Sequence, residues 1–346
     1  MQPPPLNCVI LAAGKGTRML SKIPKIAHPI MGKPMVHHVV AAASQMAAER
    51  IIVVMGHERE RVENLLKNEK VVFAMQTEQR GTAHALLTAE RFLGDGDVLV
   101  LYGDVPLIQA STLRALVESL RDSDGIIFMT TEVDQPEGYG RVIAGPNGEI
   151  TDIVEDSEAS EDVKGIKVIN TGICVIRRDR LPLVKMVEPN NRKGEYYLTD
   201  ICRIAGARGV VVKAYLHGSS SEVLGINTRR ELQEVGLIMR NRILDRHMEG
   251  GVTIADRTVY IEGDVAIGRD TTILPYSYIA GKTEIGEDVT IGPHVTIDSC
   301  VIGRGSVIES FTSLKGATVP EGGRIKSFSR IAAPPGTAEQ SERMDA

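Results

Sequence analysis

From Ile261 the sequence repeats with a period of six: IEGDVA, IGRDTT, ILPYSY, IAGKTE, IGEDVT and IGPHVT, then a one-residue slip, then IGRGSV, IESFTS and LKGATV. An aliphatic residue opens each hexad and a small or β-branched residue fills the fifth place. This is the pattern of a left-handed parallel β-helix, with one hexad on each triangular face and three hexads to a coil. With the irregular start at Val252 to Tyr260, the block holds material for roughly three coils, enough for a capped stack. The segment from Ala332, AAPPGTAEQSERMDA, has two prolines and almost no apolar residue after them, which predicts a disordered tail over 332–346.

The chain before the repeats follows a different rule. From residue 7 to about 225, short β-branched runs such as Ile51 to Met55, Val98 to Tyr102 and Gly125 to Met129 alternate with helical patterns such as Met35 to Met46 and Gly81 to Phe92. Strands alternating with helices predict a mostly parallel sheet covered on both faces, with ligands at the carboxyl ends of its strands. TRRE from Thr228 fits a capping box, and Leu232, Val235, Met239 and Ile243 recur three and four apart, so one helix spans 228–250 and stops at Gly250 and Gly251. The expected division is therefore 1–227, an α/β domain; 228–250, a linker helix; 251–331, the β-helix; and the tail.

Three features at predicted strand ends carry chemistry. LAAGKGTRMLSKIPK, Leu11 to Lys25, follows the apolar strand that ends at Leu11. Gly14 and Gly16 let backbone N–H groups approach a charged ligand, and Arg18 and Lys25 supply positive charge for phosphate oxygens. The spacing is neither the Walker pattern nor G-x-G-x-x-G. Asp104, in YGDVP, puts a hard oxygen ligand at the end of another strand, suited to Mg²⁺ held by one or two protein groups plus substrate phosphates; a turn-capping role is the alternative reading. Gln76, in QTEQRGT, carries the donor and acceptor needed to read a base edge, or belongs to a solvated loop.

Composition excludes several other classes. The 346 residues carry a formal net charge of −5 and are 42% apolar, so nothing pulls the chain generally toward nucleic acid. No apolar run approaches the roughly 20 residues that cross a bilayer, and the first residues lack a signal-peptide pattern, so the expectation is a cytoplasmic protein with no membrane partner. Cys8, Cys174, Cys202 and Cys300 lack C-x-x-C spacing and read as buried reduced thiols. The eight histidines, His28, His37, His38, His57, His84, His217, His247 and His294, show no metal-type or triad spacing and read as structural or surface residues.

Eight segments, in order, resemble one enzyme family: Leu11 to Lys25, QTEQRGTAHA, LYGDVPL, GYGRV, IVED, INTGI, GEYYLTD and EVLGINTR. They look like the uridylyltransferase part of the bacterial bifunctional N-acetylglucosamine-1-phosphate uridylyltransferase/glucosamine-1-phosphate acetyltransferases, over about residues 6 to 330. The resemblance implies a Rossmann-like, glycosyltransferase-A-like nucleotidyltransferase sheet followed by a short left-handed β-helix. It implies that Leu11, Ala12, Ala13 and Gly14, with Gln76 and Gly81, hold the uracil, with Thr82 among the substrate contacts. Arg18 and Lys25 would hold the triphosphate and act catalytically, and Asp104 with Asn227 would hold Mg²⁺. Gly140, Glu155, Asn170 and Thr199 match the positions that contact the sugar, with Tyr139 and Tyr197 lining that side; for Glu155 and Asn170 a turn-making role stays open, as does a helix-capping role for Asn227.

What the resemblance implies for function is a cytoplasmic enzyme making the cell wall precursor UDP-N-acetylglucosamine and pyrophosphate from UTP and N-acetylglucosamine 1-phosphate, assembled as a trimer through the β-helix. The alternatives are another sugar 1-phosphate, TTP in place of UTP, or a non-catalytic subunit that senses sugar nucleotides. The hexads stop earlier than in the bifunctional enzymes, whose later coils carry the acetyl-CoA site, so acetyl transfer is expected to be absent. His294 lies too early to match that family's catalytic histidine.

Overall fold

The computed structural model describes residues 5–14, 16–56 and 59–333; His57 and the tail from 334 onward lie outside the described residues. The chain divides into two compact units: Met1–Pro29 with Lys33–Leu232, and Ile30–Gly32 with Gln233–Ala346.

The first unit is built on a nine-stranded sheet. Along its main path the order is Val212–His217, Ile126–Glu132, Val168–Ile176, Asp97–Tyr102, Leu6–Leu11, Arg50–Met55 and Val72–Met75. All neighbours run parallel except at Val168–Ile176, which is antiparallel to both of its own. The hairpin of Arg141–Ala144 and Ile150–Val154 joins the same sheet through the pair Ile169 and Arg141. The continuous apolar runs follow from this layering. Cys8, Ile10, Leu99 and Leu101 pack on one face with Val36, Val39 and Val40 of the helix Met35–Ser44. Val9, Leu11, Val98 and Val100 pack on the other with Ala83 and Leu86 of the helix Thr82–Ala89. Successive side chains point to opposite faces and helices cover both, so every position of Leu6–Leu11 is buried. Each such aliphatic side chain contributes about 1.5–3 kcal/mol. The four cysteines are free and buried.

Because the strands Leu6–Leu11, Arg50–Met55, Val72–Met75 and Asp97–Tyr102 are parallel, their carboxyl ends and the loops that follow gather on one side of the sheet. Backbone hydrogen bonds fasten these loops: Ala12 N–H donates to Val54 O (2.9 Å), Gln76 N–H to Met55 O (2.8 Å) and Gly103 N–H to Leu11 O (3.0 Å).

The second unit contains most of the helix Arg229–Glu249 and the repeats. Fourteen short strands form three parallel stacks, two of five strands and one of four. The register is Ile261, Ile279, Ile297, Leu314, Ile331 in one stack and Ile267, Ile285, Ile302, Val319 in another, so coils are 18 residues long at first and 17 later. The stack therefore has four complete coils and part of a fifth, not three. The later coils escape a hexad count because each drops one residue, for example in IDSCV at Ile297. Ala332 ends the last strand and Ala333 N–H bonds Lys315 O (2.9 Å), so order continues past the expected start of the tail. Aligned corners use left-handed backbone: Tyr276, His294, Phe311 and Phe328 have φ of 59°, 58°, 60° and 63°, and their rings stack 4.9–5.1 Å apart, close to the spacing of neighbouring strands. No described helix is long and apolar enough to cross a membrane.

Candidate active site

At the carboxyl ends of the strands lies a crevice of about 630 Å³. Of the residues expected to bind nucleotide and metal, Leu11, Ala12, Ala13, Gly14, Lys25, Gln76, Gly81, Thr82 and Asp104 line it. The sequence explains how they meet. Gly16 sits at φ +60°, and a Cβ there would lie 2.6 Å from Lys25 Cβ, so glycine is required for the loop to fold back against Lys25. Gly103 packs between Ala12 and Ile26 and delivers Asp104 beside the loop.

Lys25 is the hub. Its side-chain ammonium donates to Asp104 Oδ2 and to Asn227 Oδ1, the latter at 3.1 Å. Asn227, from a segment more than a hundred residues away, is brought in because Ile226 N–H donates to Asp104 O (2.9 Å). Thr228, not Asn227, caps the helix Arg229–Glu249. Thr228 Oγ1 accepts from Glu231 N–H (3.2 Å), and Glu231 Oε2 accepts from Thr228 N–H (2.8 Å) and from Asn227 N–H. The Asn227 side-chain oxygen is thereby left for Lys25. No group of three or more His, Cys, Asp and Glu side chains able to hold a metal occurs among the described residues. Two oxygens converging on one cation do form a hard-oxygen pair of the kind that Mg²⁺ shares with substrate phosphates.

A second clamp holds the two segments together. Glu222 is 4% exposed. Its carboxylate accepts from Gln109 N–H (3.0 Å) and Gln109 Nε2 (3.1 Å), and His217 Nε2 lies 3.3 Å away. Gln109 follows Asp104 by five residues and Glu222 precedes Asn227 by five, so the clamp fixes the spacing of the oxygen pair. Arg18 lies exposed on the short 3₁₀ turn Thr17–Met19, near enough to Tyr139 for its charge to counter the rise that burial causes in that phenol. Arg229 steadies this turn, donating from Nε to Met19 O and from Nη1 to His28 Nδ1, both at 3.2 Å. Burial first, then Arg229 and Arg61, hold His28 below the usual histidine range.

The expected sugar residues form a neighbouring group. Asn170 N–H donates to Gly140 O (2.8 Å), and a Cβ on Gly140 would lie 3.5 Å from Glu155 Oε1, so Gly140, Glu155 and Asn170 adjoin. Burial pushes Glu155 above the usual carboxylate range; Lys193 opposes this, while Glu158, Asp200 and Glu195 add to it. Asn170 Oδ1 accepts from Gly172 N–H (3.0 Å), a local turn role. Thr199 is buried in the turn Leu198–Asp200, which Leu198 N–H ties to Thr82 Oγ1 (2.9 Å). Gly81, at φ +112°, abuts the Tyr196 backbone. Tyr197, pushed up to about 12 by burial and by Glu195 and Glu155, belongs to this cluster. Gly140, Glu155, Asn170 and Thr199 do not line the crevice itself. Gln79, Tyr102 and Glu195 do, and sequence reasoning left them out. All three stand inside motifs already singled out, Gln79 in QTEQRGT, Tyr102 in LYGDVPL and Glu195 in GEYYLTD.

Comparison with known proteins agrees with this architecture. The MobA-like NTP transferase domain family matches residues 8–184, and the bacterial transferase hexapeptide (six repeats) matches residues 264–299 and 282–316. The chain is 43% identical over 330 residues to the bifunctional protein GlmU of Caldanaerobacter subterraneus subsp. tengcongensis, covering 94% of this chain and 72% of that one. It is 45% identical over 305 residues to the GlmU of Geobacillus sp. strain WCH70 (87% and 66%), and 42% over 273 residues to that of Clostridioides difficile strain 630 (78% and 59%). Against the latter two the chain spans less than two thirds of the relative's length. Among solved structures, UDP-glucose pyrophosphorylase complexed with UDP-glucose superposes with a TM-score of 0.56 at 22% identity, over 69% of this chain and 99% of that one, which establishes the fold. With a pyrophosphorylase-type sheet followed by a left-handed hexapeptide β-helix, the chain is a nucleotidyltransferase and belongs to the family of the bifunctional protein GlmU.

Proposed function

We propose that this chain is a uridylyltransferase that joins UTP and N-acetylglucosamine 1-phosphate into UDP-N-acetylglucosamine, releasing pyrophosphate. The observation that carries the reading is the pairing of Lys25 with Asp104 and Asn227, Lys25 and Asp104 lining the same crevice as the Leu11–Gly14 loop and Gln76. A sugar-phosphate oxygen attacks the α-phosphorus of UTP, a new P–O bond forms, and the bond to the departing pyrophosphate breaks. No covalent bond to the protein is needed, so the protein contributes position and charge.

In this reading Leu11 to Gly14, Gln76 and Gly81 hold the base, with Thr82 beside them. Arg18 and Lys25 hold the phosphates and offset the charge that develops on pyrophosphate. Asp104 and Asn227 would hold Mg²⁺, which would supply positive charge that stabilises the reacting phosphate. Their pairing with the Lys25 ammonium supports this role, because the same two oxygens already accommodate a cation. Glu155, Asn170, Gly140 and Thr199, lined by Tyr139 and Tyr197, take the sugar. The β-helix joins copies of the chain, as a trimer, in the cytoplasm.

The test is a panel of UTP, TTP, CTP, ATP and GTP against N-acetylglucosamine 1-phosphate, glucose 1-phosphate and glucosamine 1-phosphate, scored by pyrophosphate release with Mg²⁺. UTP with N-acetylglucosamine 1-phosphate is expected to give the highest kcat/KM. Another pair ahead of it by tenfold would replace the assignment.

A further inference from the structure

We infer that His84 is a positioning residue for base choice: by accepting a hydrogen bond from the Gln76 side chain it turns the Gln76 carbonyl oxygen into the crevice, selecting a pyrimidine that carries a donor at N3. The inference rests on the reading of the crevice as a uridine nucleotide site.

Gln76 is only 3% exposed, so its amide cannot turn freely in solvent. Its side-chain nitrogen has two partners, Gly81 O at 3.2 Å and His84 Nδ1 at 2.9 Å. A backbone carbonyl can only accept, so Gly81 fixes which end of the amide is the nitrogen. The second N–H then points to His84 Nδ1, which must accept it, leaving the imidazole neutral with its proton on Nε2. Both amide hydrogens are thereby occupied. The Gln76 oxygen has no hydrogen-bond partner among the described residues, while Gln76 lines the crevice.

Both partners belong to the start of one helix. Gly81 precedes Thr82–Ala89 and His84 stands in its first turn, and that turn is fastened where Ala83 N–H donates to Tyr196 O (2.9 Å). Reversing the amide would set its oxygen against the Gly81 carbonyl, and His84 could meet it only by moving its proton to Nδ1. With the amide held this way, the crevice offers an acceptor to the base. Uracil and thymine have a donor, N3–H, to meet it; cytosine has a lone pair at N3, and two acceptors would face each other. The device therefore separates UTP and TTP from CTP, and does not separate UTP from TTP.

The variants are His84→Leu and His84→Phe, which remove the acceptor, and His84→Gln, which can supply a new one. For each, kcat/KM is measured with UTP, TTP and CTP at saturating N-acetylglucosamine 1-phosphate. Leucine and phenylalanine should lower the UTP-to-CTP ratio by at least about tenfold, the scale of one mispaired buried polar group, while leaving the UTP-to-TTP ratio unmoved. Glutamine should restore much of the UTP-to-CTP ratio. A general packing defect would depress all three triphosphates alike. An unchanged UTP-to-CTP ratio in both apolar variants overturns the role of His84, whereas a wild-type protein that does not use UTP overturns the reading of the crevice instead.

Discussion

Removing the carboxylate of Glu222 should unfasten the crevice without touching any residue that binds substrate. Glu222→Ala deletes the acceptor of two hydrogen bonds from Gln109 and the partner of His217, all in a position 4% exposed. A buried donor left without its acceptor costs about 1–3 kcal/mol, and Glu222→Ala orphans two donors of Gln109. The donors share one acceptor group, so the losses are not additive, and about 2–4 kcal/mol is the expected total. In a unit of this size that lowers the melting temperature by about 4–16 °C. Glu222→Gln keeps the volume and one acceptor, and should lose about 1–2 kcal/mol, the difference between charge-assisted and neutral hydrogen bonds. Thermal unfolding followed by circular dichroism, with the Mg²⁺ concentration for half-maximal pyrophosphate release measured below the transition, tests both effects. The Mg²⁺ requirement should rise in both variants, because the clamp sets the distance between Asp104 and Asn227. An alanine variant that melts within about 2 °C of wild type, with an unchanged Mg²⁺ requirement, would refute the clamp.

Three further outcomes are expected. Asn170→Ala should raise KM for N-acetylglucosamine 1-phosphate by about tenfold or more while changing KM for UTP little, because Asn170 adjoins Gly140 and Glu155 rather than the Leu11–Gly14 loop; equal losses for both substrates would indicate a disturbed Gly172 turn. His28 titrates below its ordinary value in the folded chain, so the unfolded chain binds more protons in that window, and stability present above about pH 6.5 should fall as pH drops below it. His28→Gln should flatten that slope in urea titrations between pH 7 and pH 5, and an unaltered slope would exclude His28 as the source. Light scattering at micromolar concentration should return the mass of three chains, and a monomeric mass would remove the proposed role of the β-helix.

Periodicity and local chemistry made much of this molecule legible in its sequence. The apolar runs at Cys8 and Val98 alternate between two covered faces, and the aliphatic residue that opens each hexad packs one coil on the next, so both architectures follow from local pattern. The coil count was harder, because a coil that loses one residue breaks the period without breaking the stack. At the site, Gly16 and Lys25 are close in sequence and their partnership follows from the loop. Long-range pairings are different. Nothing local to Asn227 says that its side chain turns to Lys25 instead of capping the next helix; that is decided by Thr228 taking the cap and by Ile226 bonding Asp104. Glu222 likewise appears in the sequence only as the first residue of EVLGINTR, and only the fold sets it against Gln109. His84 reads as a structural histidine, and its orientation toward Gln76 depends on where the helix starts.

Direct displacement on UTP at the Lys25, Asp104 and Asn227 cluster can be followed by mixing the protein with UTP labelled with ³²P at the α-phosphorus, N-acetylglucosamine 1-phosphate and Mg²⁺. Label should enter UDP-N-acetylglucosamine at the rate of pyrophosphate release, and none should stay on the protein after denaturation. Asp104→Ala, while retaining the wild-type circular dichroism spectrum, should lose both by orders of magnitude. Label bound covalently to the protein, or near-normal transfer by Asp104→Ala, would contradict direct displacement at this cluster.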